Sequence, residues 1–342
     1  MLYATTRNNL DAYTPQRVLQ DRRATDGGFY VPMRLPRFDN SEIKALGQKS
    51  FSQNVAEVIN LFFGTGLDSW SVEFAIGRYP VKLVQLTGRE AVAETWHNPS
   101  WRYARLARGI EKAILHSDQI SPVPSDWLMV ASRIAVLFGI FGELIRDGAE
   151  IPMDVAVPNG DFSGPMAAWY AREMGLPIAN ILCCCNDNNG TWRLLHKGEI
   201  RTDAAALHTD TPACDHVAPR DLERLIYGTL GPKYAVSFRE VCQNGGTFYL
   251  EPEQQNMLRK GMYAPVTGLR RLESAVTNLY QNCRYLPDPY TALCYSGILD
   301  YRSVTGEGRR VLIISEETPA YSIDFLARCL GLSPWELKNR MK

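Results

Sequence analysis

The sequence predicts an α/β fold built on a parallel sheet, and two observations carry that prediction. Residues 153–185 read as strand, Gly-containing turn, helix and strand. They comprise the apolar run 153–157, the turn from Asn159 to Gly164, a helical pattern over 165–174 ending at Gly175, and the apolar run 178–185. A strand joined through a helix to a neighbouring strand is the unit of parallel sheets. A four-residue apolar run, 311–314, has the character of a fully buried core strand. With 342 residues, 45% apolar and 22% charged, the chain has ample core for one large α/β domain or two smaller ones.

The remaining elements follow in order. Asp26-Gly27-Gly28 before Phe29-Tyr30-Val31-Pro32 is a turn into a short strand. Residues 41–63 carry Phe51, Val55, Val58, Ile59 and Phe62 at helical spacing, and Gly64 stops the helix. Two short strands, 79–86 and 91–96, are joined by Thr87-Gly88-Arg89. A helix is expected over 100–116 and, after Pro122 and Pro124, another over 126–145, with Ser125 as its cap. Leu128, Ile134, Leu137, Phe138 and Phe141 form an apolar face on it, for the core or for another chain. Asn186 to Gly190 is a loop signal, and 191–218 reads as irregular surface. Helices are expected at 221–227, 253–259, 267–284, 289–299 and 322–330, with Ser322 as a cap. In the helix at 267–284, Leu269, Leu272, Val276 and Leu279 share a face.

Composition excludes several classes. Lysine plus arginine equals aspartate plus glutamate, 37 each, so charge favours neither nucleic acid nor an anionic membrane. The eight cysteines show no C-x-x-C spacing and no metal-ligand pattern with histidine, and Cys183, Cys184 and Cys185 read as buried strand thiols. No N-terminal signal pattern is present, and the apolar stretch 134–140 is too short to span a bilayer. A cytoplasmic protein, without metal, nucleic-acid or membrane partners, is the expectation.

The turn at 157–164 is the first candidate site. A strand ending in such a turn and opening into a helix aims backbone N–H groups and the positive helix end at one point, which suits a phosphate or carboxylate. His97 is a weaker candidate, in a turn before Pro99. The pair Glu316-Glu317 follows a strand end, where open α/β sheets place ligands. His208, Asp210, Asp215 and His216 lack the G-x-S-x-G serine that a hydrolytic triad on this kind of fold would need, and read as surface loop.

Seven stretches, in order, resemble the threonine synthases, lyases of pyridoxal-phosphate (PLP) fold type II. Tyr3-Ala4-Thr5-Thr6-Arg7 is similar to Y-x-S-T-R, and Asp26 to Pro32 to D-G-G-L-Y-V-P. Val157 to Gly164 resembles V-P-T-G-N-F-G-N, and Ala171 to Ile178 resembles A-K-x-M-G-L-P-I. Asn186-Asp187-Asn188 is similar to N-E-N-D, Leu222 to Tyr227 to F-E-R-L-L-Y, and Tyr285 to Ala292 to Y-x-x-D-P-H-T-A. The resemblance implies a mostly parallel sheet with helices on both faces. It divides the chain into an N-terminal region, 1–120, with a remnant of the small subdomain, and a large α/β domain, 121–342.

The departures point to lost chemistry. The family's H-G-P-T-L-A-F-K-D supplies the lysine that bonds to the cofactor. Here His97 to Arg105 includes Asn98, Ser100 and, where the lysine stands, Ala104. An alanine cannot make that bond. Lys112 lies eight residues on, roughly 12 Å along a helix, so it does not replace it. The family's T-S-G-D-T-G segment has no counterpart. Asp161-Phe162-Ser163-Gly164 replaces N-F-G-N, placing beside a phosphate site a carboxylate that is repulsive unless paired or protonated. Ser315-Glu316 falls where the family has a threonine near the pyridine nitrogen. Three readings follow: a metabolite-binding or protein-interacting relative without PLP chemistry, with a homodimer or another protein as its partner; an enzyme of changed chemistry in the remnant cleft; and a divergent lyase acting on an O-phosphohomoserine-like substrate. The first expects no cofactor and a small anion as ligand.

Overall fold

A computed structural model describes residues 1–21, 23–76, 81–97, 103–115 and 125–341. Strands β1 (Tyr3–Thr5) and β2 (Tyr30–Pro32) form an antiparallel pair, as the Asp-Gly-Gly turn predicts. Then come β3 (Lys82–Gln85), β4 (Glu90–Glu94), β5 (Met153–Pro158) and β6 (Ile178–Cys184). Strands β7 (Glu199–Arg201) and β8 (Thr247–Tyr249) pair with each other, and β9 (Met262–Tyr263) and β10 (Val311–Ser315) complete the set. The central sheet runs β3-β4-β10-β5-β6-β9. Only β3 is antiparallel, joined to β4 by the tight turn expected at Thr87-Gly88-Arg89.

Alternation along the strands assigns their two faces. Ala91, Ala93, Val155, Val157, Leu312 and Ile314 pack into one core, beneath the helices Asp126–Arg146 and Ser163–Glu173. Val92, Ala156, Val311 and Ile313 face the other, with the helices Leu269–Asn282, Pro289–Thr305 and Ile323–Leu330. Helices therefore cover both faces, which explains strands apolar on both sides. The sheet draws strands from both sides of residue 120.

Local chemistry sets the element ends. Ser50 and Gln53 close a reciprocal capping box at the start of the helix Phe51–Phe63, and Gly64 ends it at φ 65°. The single helix expected over 41–63 is instead two, Asn40–Ala45 and Phe51–Phe63, because Ser50 starts a fresh cap. The apolar face of Asp126–Arg146 is buried in the core rather than offered to another chain. That helix is long and apolar enough to cross a membrane by length and composition, which corrects the bilayer expectation, but most of it is buried inside the fold.

Other expectations are also corrected. Ser125 and Ser322 stand at cap positions without making a side-chain cap bond. Leu269 is exposed, because it lies in the first turn, beyond the edge of the core. Residues 191–218 are not wholly irregular: the helix Gly190–Lys197 and strand β7 lie there. A helix can start at Gly190 because its missing Cβ leaves room for the Val217 carbonyl, which an added Cβ would meet at 1.7 Å. The thiols of Cys183, Cys184 and Cys185 are buried, as read from the sequence.

Candidate functional site

The sheet topology creates a crevice before any side chain is considered. From β5 the chain crosses over one face through Ser163–Glu173 to reach β6. From β10 it leaves over the other face to Ile323–Leu330. Two adjacent parallel strands whose connections depart to opposite faces leave a gap at their carboxyl ends, the usual ligand position in open α/β sheets. Residues 159–163 and 315–317 border it.

On the β5 side, the Asn159 N–H bonds the Cys184 carbonyl at 2.8 Å, and the Phe162 N–H bonds the Asn159 carbonyl at 2.8 Å. Gly160 takes φ 47°, and Phe162, with its ring buried, is held in the left-handed region at φ 73°. A non-glycine residue kept there stores strain, and such strain concentrates at functional sites. The Asp161 carboxylate accepts the Ser163 N–H at 3.0 Å and the Ser163 hydroxyl, so it sits at the start of Ser163–Glu173. Arg220 lies 3.6 Å from its second oxygen. Burial acts to raise the Asp161 pKa, but Arg133, Ser163 and Arg220 outweigh it and hold the carboxyl below its usual range. The segment Pro212–Cys214 lies against the same turn. Burial pushes the Cys214 thiol up to about 12, with hydrogen bonding from the Gly160 and Asn159 N–H groups acting in the opposite direction.

On the β10 side, the Ser315 carbonyl accepts the Thr95 N–H at 2.9 Å, tying β4 to β10 beyond the ladder. The Ser315 hydroxyl donates to Asp288 at 2.9 Å and accepts the Trp96 indole N–H at 3.2 Å. Asp288 also caps Pro289–Thr305, accepting the N–H groups of Tyr290 and Thr291 at 2.8 and 3.1 Å and the Thr291 hydroxyl. Glu316 pairs with Arg133 at 3.2 Å. Asp288 thus links the helix cap to the strand end. Asp288→Ala is expected to cost about 2–4 kcal/mol, combining a lost cap with two hydroxyls left without an acceptor. Urea unfolding checks the value. Loss of the indole signal of Trp96 in near-ultraviolet circular dichroism checks the local effect.

At the end of β4, the buried Glu94 carboxylate contacts His97 Nε2 at 2.5 Å and Lys82 Nζ at 3.6 Å. His97 stacks on Trp96 with centroids 4.0 Å apart. Burial, with the Glu94 and Asp288 carboxylates, pushes the Tyr285 phenol well up. A buried carboxylate that orients a partly exposed imidazole is an arrangement able to take and return a proton.

Of the residues read from the sequence, Asn159, Gly160, Asp161, Phe162, Ser163 and Gly164 form one wall, and Ser315 and Glu316 the other. His97 lies at the neighbouring strand end, held by Glu94. Ala104 is on the helix Tyr103–Leu115. Asn98 and Ser100 lie outside the described residues. Asp215 accepts from Thr209, Asn186 and Asn188 rather than from a histidine, so it knots a loop together. Sequence reasoning missed Glu94, Arg133 and Asp288. For Asp288 a signal existed: an Asp directly before a proline that begins a helix is a cap.

A family model described as "Threonine synthase N terminus" matches residues 2–76. The chain is 25% identical over 217 residues to the threonine synthase of Methylobacillus glycogenes, a match covering 61% of this chain and 44% of that protein. It is 27% identical over 147 residues to human threonine synthase-like 1, covering 42% of this chain and 20% of that one. The matched part thus spans less than half the length of these curated relatives. Among solved structures, PLP-bound threonine synthase from Brucella melitensis superposes with a TM-score of 0.83 at 18% identity, covering 97% of this chain and 92% of that one. Yeast threonine synthase superposes with a TM-score of 0.82 at 16% identity, covering 96% and 90%. The chain has their fold.

Proposed function

We propose that this chain, a relative of the threonine synthases with their PLP fold type II architecture, binds a small metabolite non-covalently in the strand-end crevice and does not carry out PLP chemistry. One observation supports this reading above the others: the Asp161 carboxylate takes the Ser163 N–H and hydroxyl at the start of the helix that follows β5. A phosphate would need that position, and the chain supplies a negative charge there itself. A second anion there would have to displace this carboxylate from the helix start and from Arg133 and Arg220. The residues present therefore do not fit PLP, and Ala104 in place of the family lysine agrees. The expectation of an anionic ligand gives way in this reading to an uncharged or zwitterionic one. The protein works in the cytoplasm, where its eight thiols stay reduced.

Added PLP is expected to produce no yellow species, and borohydride treatment no pyridoxyl-lysine in a peptide digest. An adduct mapped to one lysine would overturn the reading. Asp161→Asn removes the internal charge and keeps an acceptor for Ser163. It is expected to bind inorganic phosphate detectably by calorimetry where the wild type does not.

A second reading has its own observation. The 2.5 Å contact of His97 with Glu94 suits proton transfer to and from a ligand bound beside β4. Under this reading His97→Gln abolishes turnover of whatever metabolite binds, with binding retained.

A further inference from the structure

We infer that Asn159 is the recognition residue of the crevice, and that its ligand presents a hydrogen-bond donor beside an acceptor, as the edge of an amide does. The inference rests on the reading that the crevice binds a metabolite without PLP.

Asn159 is 1% exposed, and neither the oxygen nor the nitrogen of its carboxamide has a hydrogen-bond partner. No other residue among the described ones has two buried side-chain polar atoms in that state. Its backbone, by contrast, is fully bonded. The N–H reaches Cys184 and the carbonyl receives Phe162, so the main chain of the residue is fixed at the mouth of β5. Each buried polar group left unsatisfied costs about 1–3 kcal/mol, and burying one without a partner is rare in folded proteins. Asp161, two residues on, receives two hydrogen bonds of its own, so the turn as a whole is not starved of donors.

The turn around it is packed at ordinary rather than tight contact: a Cβ added at Gly160 would meet the Ala213 carbonyl at 3.7 Å, and one at Gly164 the Pro158 carbonyl at 3.9 Å. A carboxamide presents N–H donors and a carbonyl acceptor in one plane. The group that satisfies both at once offers an acceptor and a donor side by side: a primary or secondary amide, or the equivalent edge of a pyrimidine. The carboxylates of Asp161 and Glu316 on the crevice walls are matched by Arg220 and Arg133, so the walls carry no net charge and suit neutral or zwitterionic carriers of that edge.

The test uses nicotinamide, glutamine and uracil as probes, with inorganic phosphate as the charged counterpart. Binding to the full chain is followed by calorimetry and thermal unfolding, for wild type, Asn159→Ala and Asn159→Thr. At least one amide probe is expected to bind the wild type and phosphate is not. Both variants are expected to weaken that probe about ten- to a hundredfold, the value of the lost hydrogen bonds. Without ligand they should unfold at the wild-type temperature or above it, because they remove unsatisfied groups. Failure of all three probes to bind overturns the inference. So does a probe that binds the variants as well as the wild type. A marked fall in the unliganded stability of Asn159→Thr also overturns it, since the amide is then satisfied within the fold. These failures leave the non-covalent reading standing. A borohydride-trapped lysine adduct sinks that reading and the inference with it.

Discussion

Arg224→Met is expected to lower the unfolding free energy by about 3–5 kcal/mol, and by more at neutral than at acidic pH. Arg224 is fully buried. It pairs with Asp221, donates to the Tyr30 carbonyl at 3.4 Å, and lies 4.6 Å from the centre of the Phe29 ring. Removing the guanidinium leaves a carboxylate in the interior without its countercharge. Burial already pushes the Asp221 carboxyl up, with Arg224 pulling it back, so the variant raises it further. The sign follows from linkage. A carboxyl whose folded pKa exceeds its unfolded value contributes stability that is full below the unfolded pKa, about 3.9, and lost as pH rises through the folded value. The variant's deficit should therefore shrink on acidification toward that range, and the double variant Arg224→Met with Asp221→Asn should recover most of the loss. Urea unfolding across the acidic to neutral range measures all three. A deficit that grows on acidification would show that Asp221 is not the cause.

Trp127→Ala carries a comparable cost, about 3–5 kcal/mol, through a different mechanism. The indole is fully buried on Asp126–Arg146, edge-on to Tyr3, Phe62 and Tyr170 at 5.8, 5.3 and 5.3 Å. Its N–H bonds the Tyr3 hydroxyl at 3.1 Å, which in turn bonds the Phe62 carbonyl at 2.7 Å. Alanine leaves a cavity among three rings and removes one donor from a buried relay. Trp127→Phe keeps most of the volume and loses the donor, so it separates the two contributions. It should cost about 1–3 kcal/mol. Equal losses in both variants would mean that the hydrogen bond, not the packing, dominates.

The strand, turn and helix at 153–173 were legible almost to the residue, because a short apolar run, glycines at the turn and a helical pattern agree there. The helix Pro232–Asn244 was not, since only Ala235 and Phe238 are buried on it. Strand β9 has two residues, too few for any period to register. The same distinction holds in the site. Asp161 and Ser163 act on each other across two positions, within reach of a local reading. Arg133 with Glu316, and Trp96 with Ser315, are partners 183 and 219 residues apart. Nothing near either residue announces the other. Glu94 reads as one more polar end of a strand until the fold brings His97, Lys82 and the β10 terminus around it.

The place of β10 has a consequence for how the chain reaches this state. The last of the described strands in sequence order is inserted third in the sheet, between β4 and β5. While the chain is being synthesised, β4 and β5 have no partner between them, and both expose open backbone edges until residues 311–315 leave the ribosome. Unpaired parallel edges invite intermolecular pairing, and contacts of such long sequence separation form slowly. The crevice between β5 and β10 forms only once residues 311–315 have been made, so a nascent chain lacks that gap until then. Under the proposed function, a ligand would bind only chains in which β10 is in place and would draw the population toward them.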